Sequence, residues 1–234
     1  IETNRRRSRE EFEYELLDTG VFDGDRYFDV FVEYAKAGPE DVLIRITVHN
    51  RGPEAARLRL LPTLWFRNTW SWEEDQPKPV LRQAAPGVIQ ASHGELGTYS
   101  LYCEGAAELL FTENETNAQR LWGQPNASPY VKDAFHAYVI SGQAEAVNPA
   151  PLGTKAAAHY ALDVPSGGSQ TVHLRLTSAR VDDAFQGFET IFESRIADAD
   201  EFYQRITPQS LNEDERRVHR QALAGMLWSK QYYY

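Results

Sequence analysis

Trp65, Arg67, Asn68, Trp70 and Trp72 fall within one stretch, LLPTLWFRNTWSW from Leu60 to Trp72, which holds three of the chain's five tryptophans. Their chemistry suits sugar recognition. An indole covers the apolar C–H face of a pyranose, while a guanidinium and a side-chain amide pair with hydroxyls. The same residues also suit a sandwich core strand ending in a loop packed by its own tryptophans, because buried aromatics dominate cores. The stretch runs into the acidic, proline-rich Glu73-Glu74-Asp75-Gln76-Pro77-Lys78-Pro79. Glycoside hydrolysis requires two carboxylates facing each other across the scissile bond. Glu73-Glu74-Asp75 is the nearest candidate for such a pair, and its alternative is a solvated turn.

Other chemistries find little support. The six histidines, His49, His93, His136, His159, His173 and His219, are scattered, and no pair has metal-ligand spacing with a carboxylate or thiol. No metal and no cofactor are expected. There is no glycine-rich phosphate loop and no serine elbow. Cys103 is the only cysteine and lies in a strand pattern, where a buried structural thiol is the expectation. A single cysteine forms no intrachain disulfide, which fits a reducing, cytoplasmic setting. A formal charge of −10 argues against nucleic acid and anionic membrane surfaces as partners. No apolar run approaches the roughly 18–20 residues of a membrane span. Asn126-Ala127-Ser128 matches a glycosylation sequon and is read as chance.

The elements that must position these residues read as mainly β. Glu11–Leu17 alternates polar and apolar residues and predicts a strand. Arg26–Lys36, Val42–Asn50 and Ala55–Phe66 follow as strands of an antiparallel meander, separated by Asp23-Gly24-Asp25, Gly38-Pro39 and Asn50-Arg51-Gly52-Pro53. Pro62 cannot donate to a ladder, so it implies an edge or a bulge just before the tryptophans. Shorter strands are predicted at Val80–Gln83, Val88–Ser92, Thr98–Cys103 and Glu108–Thr112. Glu113–Asp133 is too long for a hairpin loop, and its Leu121, Trp122, Tyr130 and Val131 predict a packed segment. Ala134–Ile140 suits a helical turn or a strand. Ala156–Val164 and Thr171–Leu176 form a hairpin through Pro165-Ser166-Gly167-Gly168.

After Ser178 the period changes from 2 to 3.6. Val181, Phe185, Phe188, Phe192, Ile196, Phe202 and Ile206 make a helical stripe, with Asp182 and Asp183 at its start and Thr207-Pro208 at its end. Ser210–Glu213 has capping-box spacing and opens a second helix running through Trp228 to Tyr234. The chain starts without Met and stops within that helical pattern, so a piece of a longer protein is expected. Apolar surface is then expected to be exposed at Phe185, Phe188 or the last helix.

LLPTLWFRNTWSW resembles bacterial proteins similar to glycoside hydrolase family 63, the relatives of processing glucosidase I and mannosylglycerate hydrolase. So do EFEYELLDTGVFDGDRYFDVFVEYAKA, SPYVKDAFHAYVI, NPAPLGTKAAAHYALDV and DERRVHRQALAGMLWSKQYYY. The resemblance covers nearly the whole chain. It implies an antiparallel β-sandwich of the supersandwich, galactose-mutarotase-like kind over residues 1–178. A linker helix over 179–209 would follow, and residues 210–234 would be the first helix of a truncated (α/α)6 barrel. The barrel would carry the acid and base that cleave a glucosidic or mannosidic bond with inversion. The catalytic residues are expected beyond Tyr234, so none is assigned here. The sandwich would pack on the barrel in cis and line its pocket for an oligosaccharide or glycoside through residues 65–72, 114–136 and 148–155. Arg67 and Asn68 would fix hydroxyls, Trp70 would stack, and Lys155 would meet any acidic group of the substrate. The same aromatics also suit a domain seam, which is the favoured reading of the two. Two alternatives stay open: a free-standing carbohydrate-binding sandwich, and a mutarotase-like sandwich enzyme needing a His–carboxylate pair in a concave site.

Overall fold

Alternation in β2 (Asp41–Asn50) places Ile44, Ile46 and Val48 on one face. β2 pairs antiparallel with β1 (Phe28–Gly38) on one side and β11 (Ser169–Thr177) on the other. The sheet continues through β7 (Gly97–Cys103), β6 (Val88–His93), β5 (Val80–Ala85) and the short β9 (Leu152–Gly153), giving the order β1-β2-β11-β7-β6-β5-β9. A computed structural model of the chain describes residues 1–72, 77–105 and 108–229. The second sheet is organised on β10 (Lys155–Val164), which pairs with β3 (Ala56–Leu60), β4 (Thr63–Trp65) and β8 (Glu108–Thr112). Ile46, Val48, Leu81, Ile89, Leu101 and Leu174 of the larger sheet share one core with Phe111, Ala156, Tyr160, Leu162 and Val164 of the smaller. Two antiparallel sheets closing on a common core is the arrangement of a β-sandwich.

The predicted third strand is broken at Leu61-Pro62 into β3 and β4. Pro62 supplies no N–H there, but its carbonyl still accepts from Ala158 N at 3.1 Å. Registers are pinned by ion pairs between directly opposed residues, Glu33 with Arg45 and Arg57 with Asp163. Asn50, 2% exposed, ties the β2–β3 turn to β10. Its Nδ2 donates to Glu54 O at 2.7 Å and Val164 O at 3.1 Å, and its Oδ1 accepts from Gly52 N at 2.9 Å. Asn50→Ala strands buried carbonyls and an N–H, so it should cost about 2–3 kcal/mol in denaturant unfolding. A loss within experimental error would show that the turn relaxes to water.

Several expectations fail: Leu121 and Trp122, expected to be packed, are exposed. Glu11–Leu17 is no strand. Its Phe12, Leu16 and Leu17 are exposed, Phe12 at 94%, and its backbone bonds outside any ladder: Tyr14 N donates to Asn4 Oδ1 and Glu15 N to Asp18 Oδ2. An alternating pattern makes a strand only where another strand's edge receives it. The helical stripe starts later than Val181, because Gly187 sits at φ 70° and the helix runs Phe188–Ile206. Asp183 instead accepts from Phe185 N in the preceding turn.

The chain divides into two units, Ile1–Phe185 and Gln186–Tyr234. Counting the helices Glu2–Arg6 (α1), Ala118–Trp122 (α2) and Ala134–Ser141 (α3) of the first unit, the second holds α4 (Phe188–Ile206) and α5 (Glu213–Trp228). The capping box of α5 is shifted two residues from the expected one. Asn212 Oδ1 accepts from Glu215 N at 3.0 Å, and Glu215 Oε2 accepts from Asn212 N at 2.8 Å. Within this unit Arg220 reaches Asp200 at 2.5 Å and covers the Tyr203 ring at 4.7 Å. Phe188 and Phe192 stack and are buried, whereas Val218, Met226 and Leu227 of α5 are exposed. The expected run of the last helix to Tyr234 lies partly outside the described residues.

Candidate functional site

Three stretches far apart in sequence, residues 65–72, 113–136 and 148–155, meet at the Lys155 end of β10. β4 and β8 flank that end, with both Trp65 and Thr112 opposite Lys155. Past β4 the ladder stops, and its last link is Phe66 N to Thr154 O at 3.2 Å. Asn114 then joins the stretches: its Nδ2 donates to Phe66 O at 2.8 Å, its N to Thr154 Oγ1 at 2.8 Å, and its O accepts from Asn68 Nδ2 at 3.3 Å. Thr154 Oγ1 donates onward to Glu113 Oε2 at 2.7 Å. Glu113 meets Lys78 Nζ at 2.9 Å, and that ammonium lies 5.9 Å from the Trp70 ring centre.

The candidate residues divide by what they have left to offer. Trp65 and Trp72 are exposed, at 54% and 65%. Arg67 stacks its guanidinium on the Trp72 ring at 4.9 Å, so its face is already used. Asn68 Oδ1 and Trp70 Nε1 are buried and have no hydrogen-bond partner among the described residues. One is an acceptor and the other a donor, and a hydroxyl supplies both complements. Lys155 is turned inward: Nζ donates to Lys132 O at 2.6 Å and lies 5.0 Å from the Phe135 ring centre. Burial and the Lys132 ammonium lower its pKa, with Asp133 opposing. Glu73-Glu74-Asp75 lies outside the described residues.

Sequence reading missed one wall. A hollow of about 290 Å³ beside Trp65 and Phe66 is closed by His93, Leu96 and Tyr99 from the β6–β7 hairpin. The His93 and Phe66 rings lie 5.4 Å apart, and His93 Nδ1 accepts from Glu95 N and Leu96 N at 3.1 and 3.3 Å. Both strands of that hairpin are predicted from the residues, but its place beside Trp65 is not, since that is set by the closure of the two sheets.

Among the described residues two His–carboxylate pairs are formed. His173 Nδ1 meets Glu104 Oε2 at 2.6 Å, and His159 Nδ1 meets Glu108 Oε2 at 2.9 Å. Glu108 also accepts from the Tyr138 hydroxyl. Burial would raise the Glu108 pKa, but the bonds from Tyr138 and His159 outweigh it and hold it low. Neither pair lines the 290 Å³ hollow or the cavities of about 530 and 320 Å³, and His159 Nε2 is buried without a partner among the described residues. Asn126, the sequon residue, turns its amide inward, donating to Asn117 Oδ1 and accepting from Gln119 N.

Cys103 is 5% exposed, and burial pushes its thiol from 9.0 up to about 12. Only the thiolate is nucleophilic, so iodoacetamide at about pH 8 should leave Cys103 intact in the native protein and label it in denaturant. Native-state labelling would show that the core opens around β7. Because the folded pKa is raised, this group favours the fold below the free thiol's pKa. That contribution is lost as pH rises from about 9 towards about 12.

Fold and site define a mainly antiparallel β protein with two C-terminal helices, carrying an aromatic and amide cluster at one end of its smaller sheet. Among the described residues no helix is long and apolar enough to cross a membrane, and no group of His, Cys, Asp and Glu is placed to hold a metal ion. No protein-family model matches the chain. It is 34% identical over 279 aligned residues to a protein of Saccharomyces cerevisiae described as "Uncharacterized protein YMR196W". The match takes in the whole chain and 26% of the yeast protein, so the chain spans about a quarter of that curated relative's length.

Proposed function

We propose that the chain is the non-catalytic β-sandwich portion of an inverting glycoside hydrolase resembling family 63, and that residues 65–72, 114–136 and 148–155 form a wall of its substrate pocket. The supersandwich type and a following (α/α)6 catalytic barrel belong to the same reading. The observation that carries it is the gathering of three distant stretches into a cluster with exposed Trp65 and Trp72 beside the unpaired Asn68 Oδ1 and Trp70 Nε1. Exposed rings for C–H faces beside side chains able to hydrogen-bond are what a pyranose requires. Exposed Val218, Met226 and Leu227 on α5 support a further packing partner. So does a curated relative about four times the chain's length.

In this reading the full-length protein hydrolyses aryl glucosides or mannosides with inversion and residues 1–234 alone do not. Turnover by the isolated chain would refute the non-catalytic role. Trp70→Ala in the full-length enzyme separates a pocket wall from a seam: raised KM at unchanged Tm marks the wall, and lowered Tm marks the seam. The exposure of Trp65 and Trp72 also suits a free-standing carbohydrate-binding module. That second reading requires tryptophan fluorescence of the isolated chain to respond to oligosaccharides at millimolar concentration.

A further inference from the structure

A cavity of about 530 Å³ lies within the segment from Asn117 to Ala146, and none of Phe66, Asn68, Asn114 and Thr154, which tie the three stretches together, lines it. Residues 131–136 divide between two surfaces. Lys132 and Phe135 meet Lys155, whereas Val131, Asp133, Ala134 and His136 line the cavity. We propose that this cavity is a second binding site, for a neutral polyhydroxylated ligand about one or two pyranose rings in size.

Its polar wall is built in advance. Asp133 accepts from Asn117 Nδ2 at 3.1 and 3.3 Å and from Arg120 Nη1 at 2.9 Å. Asn117 Oδ1 accepts in turn from Arg120 N at 3.0 Å and Asn126 Nδ2 at 3.2 Å. Burial would raise the Asp133 pKa, but Arg120 and Asn117 hold it below the usual carboxylate range, so the carboxylate is charged and matched by the guanidinium. A wall whose charges are already paired offers no counter-ion to a charged ligand. An apolar ligand would cover polar groups without pairing them. Hydroxyls donate and accept, and they suit the remaining Arg120 N–H groups together with the amide of Gln143 and the ring of His136. Those last two side chains make no hydrogen bond among the described residues. Ala134 and Ala137 keep the α3 side shallow, and the latched wall lowers the ordering cost of binding.

The inference rests on this geometry and not on the enzymatic reading. The test is calorimetric titration of the full-length protein with maltotriose and with methyl α-D-mannopyranoside, using Gln143→Ala, Ala137→Phe and Trp65→Ala. One sugar should bind saturably. Gln143→Ala, at an exposed position, should weaken that binding about tenfold without changing Tm. Ala137→Phe should abolish it by filling the cavity, and Trp65→Ala should leave it unchanged. Absence of saturable heat with both sugars would overturn the proposal, as would binding that falls with Trp65→Ala and ignores both cavity variants. Hydrolysis is not a readout, so loss of the enzymatic proposal leaves this test standing.

Discussion

Phe111→Ala should lower the free energy of unfolding by about 3–5 kcal/mol, the largest loss expected from a single side-chain truncation here. Phe111 is 1% exposed and is the bulkiest fully buried side chain. It stands on β8 opposite Ala156, and the other inward positions along β10 near it are Ala156 and Ala158. With alanines on that side, no neighbouring chain can swing in to fill the space, so the truncation leaves a cavity in full. For a protein of this size the loss is a drop in Tm of roughly 10 °C or more. The denaturant slope should not change, because the same surface is exposed on unfolding. Phe111→Leu should recover most of the loss. A loss below about 1 kcal/mol for Phe111→Ala would mean that the sheets collapse onto the gap. The site should feel the change too, since Phe111 O accepts from Asn148 N at 2.8 Å and so anchors residues 148–155.

Gly153→Ala should cost about 3 kcal/mol, at the upper end of overpacking penalties. A Cβ there would stand 2.2 Å from Thr112 O and 2.8 Å from Thr112 C. Those are backbone atoms of β8, and no rotamer change relieves them. The clash sits where the site is assembled: Thr154 N donates to Thr112 O at 3.1 Å, and Thr154 Oγ1 links Asn114 to Glu113. The variant should lose stability and also shift the tryptophan emission, because Phe66 and the residues after it hang on Thr154. Gly225→Ala is the contrast. Its Cβ meets nothing within 4 Å, and an alanine within α5 gains helix propensity, so it should be neutral or stabilising by up to about 1 kcal/mol. Equal effects at the two glycines would remove close approach as the explanation for Gly153.

Much of the β framework is legible in the residues. Val88–Ser92 and Glu108–Thr112 declare themselves by composition, and the Pro165–Gly168 hairpin by its turn residues. Pro62 announces the break between β3 and β4, because a missing N–H is a local fact. Where the reading fails, a non-local term decides. Glu11–Leu17 has strand periodicity and no strand to receive it. Residues 181–186 continue the apolar stripe, but Gly187 in the left-handed region interrupts the helix. The cap of α5 falls on Asn212 and not Ser210, two equally good acceptors, because the chain between Pro208 and Leu211 turns first.

The candidate site follows the same division. Its aromatic and amide residues are identifiable from type and spacing alone, since the chemistry of Trp65, Asn68 and Trp70 belongs to the side chains themselves. Which of them stay available is decided by tertiary structure. Arg67 is spent on Trp72 and Lys155 on Lys132, while Asn68 Oδ1 and Trp70 Nε1 are unpaired among the described residues, and His93 and Tyr99 come from a hairpin whose strands are predicted but whose place beside Trp65 is not. Side-chain chemistry and short-range periodicity are properties of neighbouring residues, so the sequence alone determines them. Hydrogen-bond partners, exposure and cavity walls depend on which distant segments meet, and only the closure of the two sheets on their common core sets that.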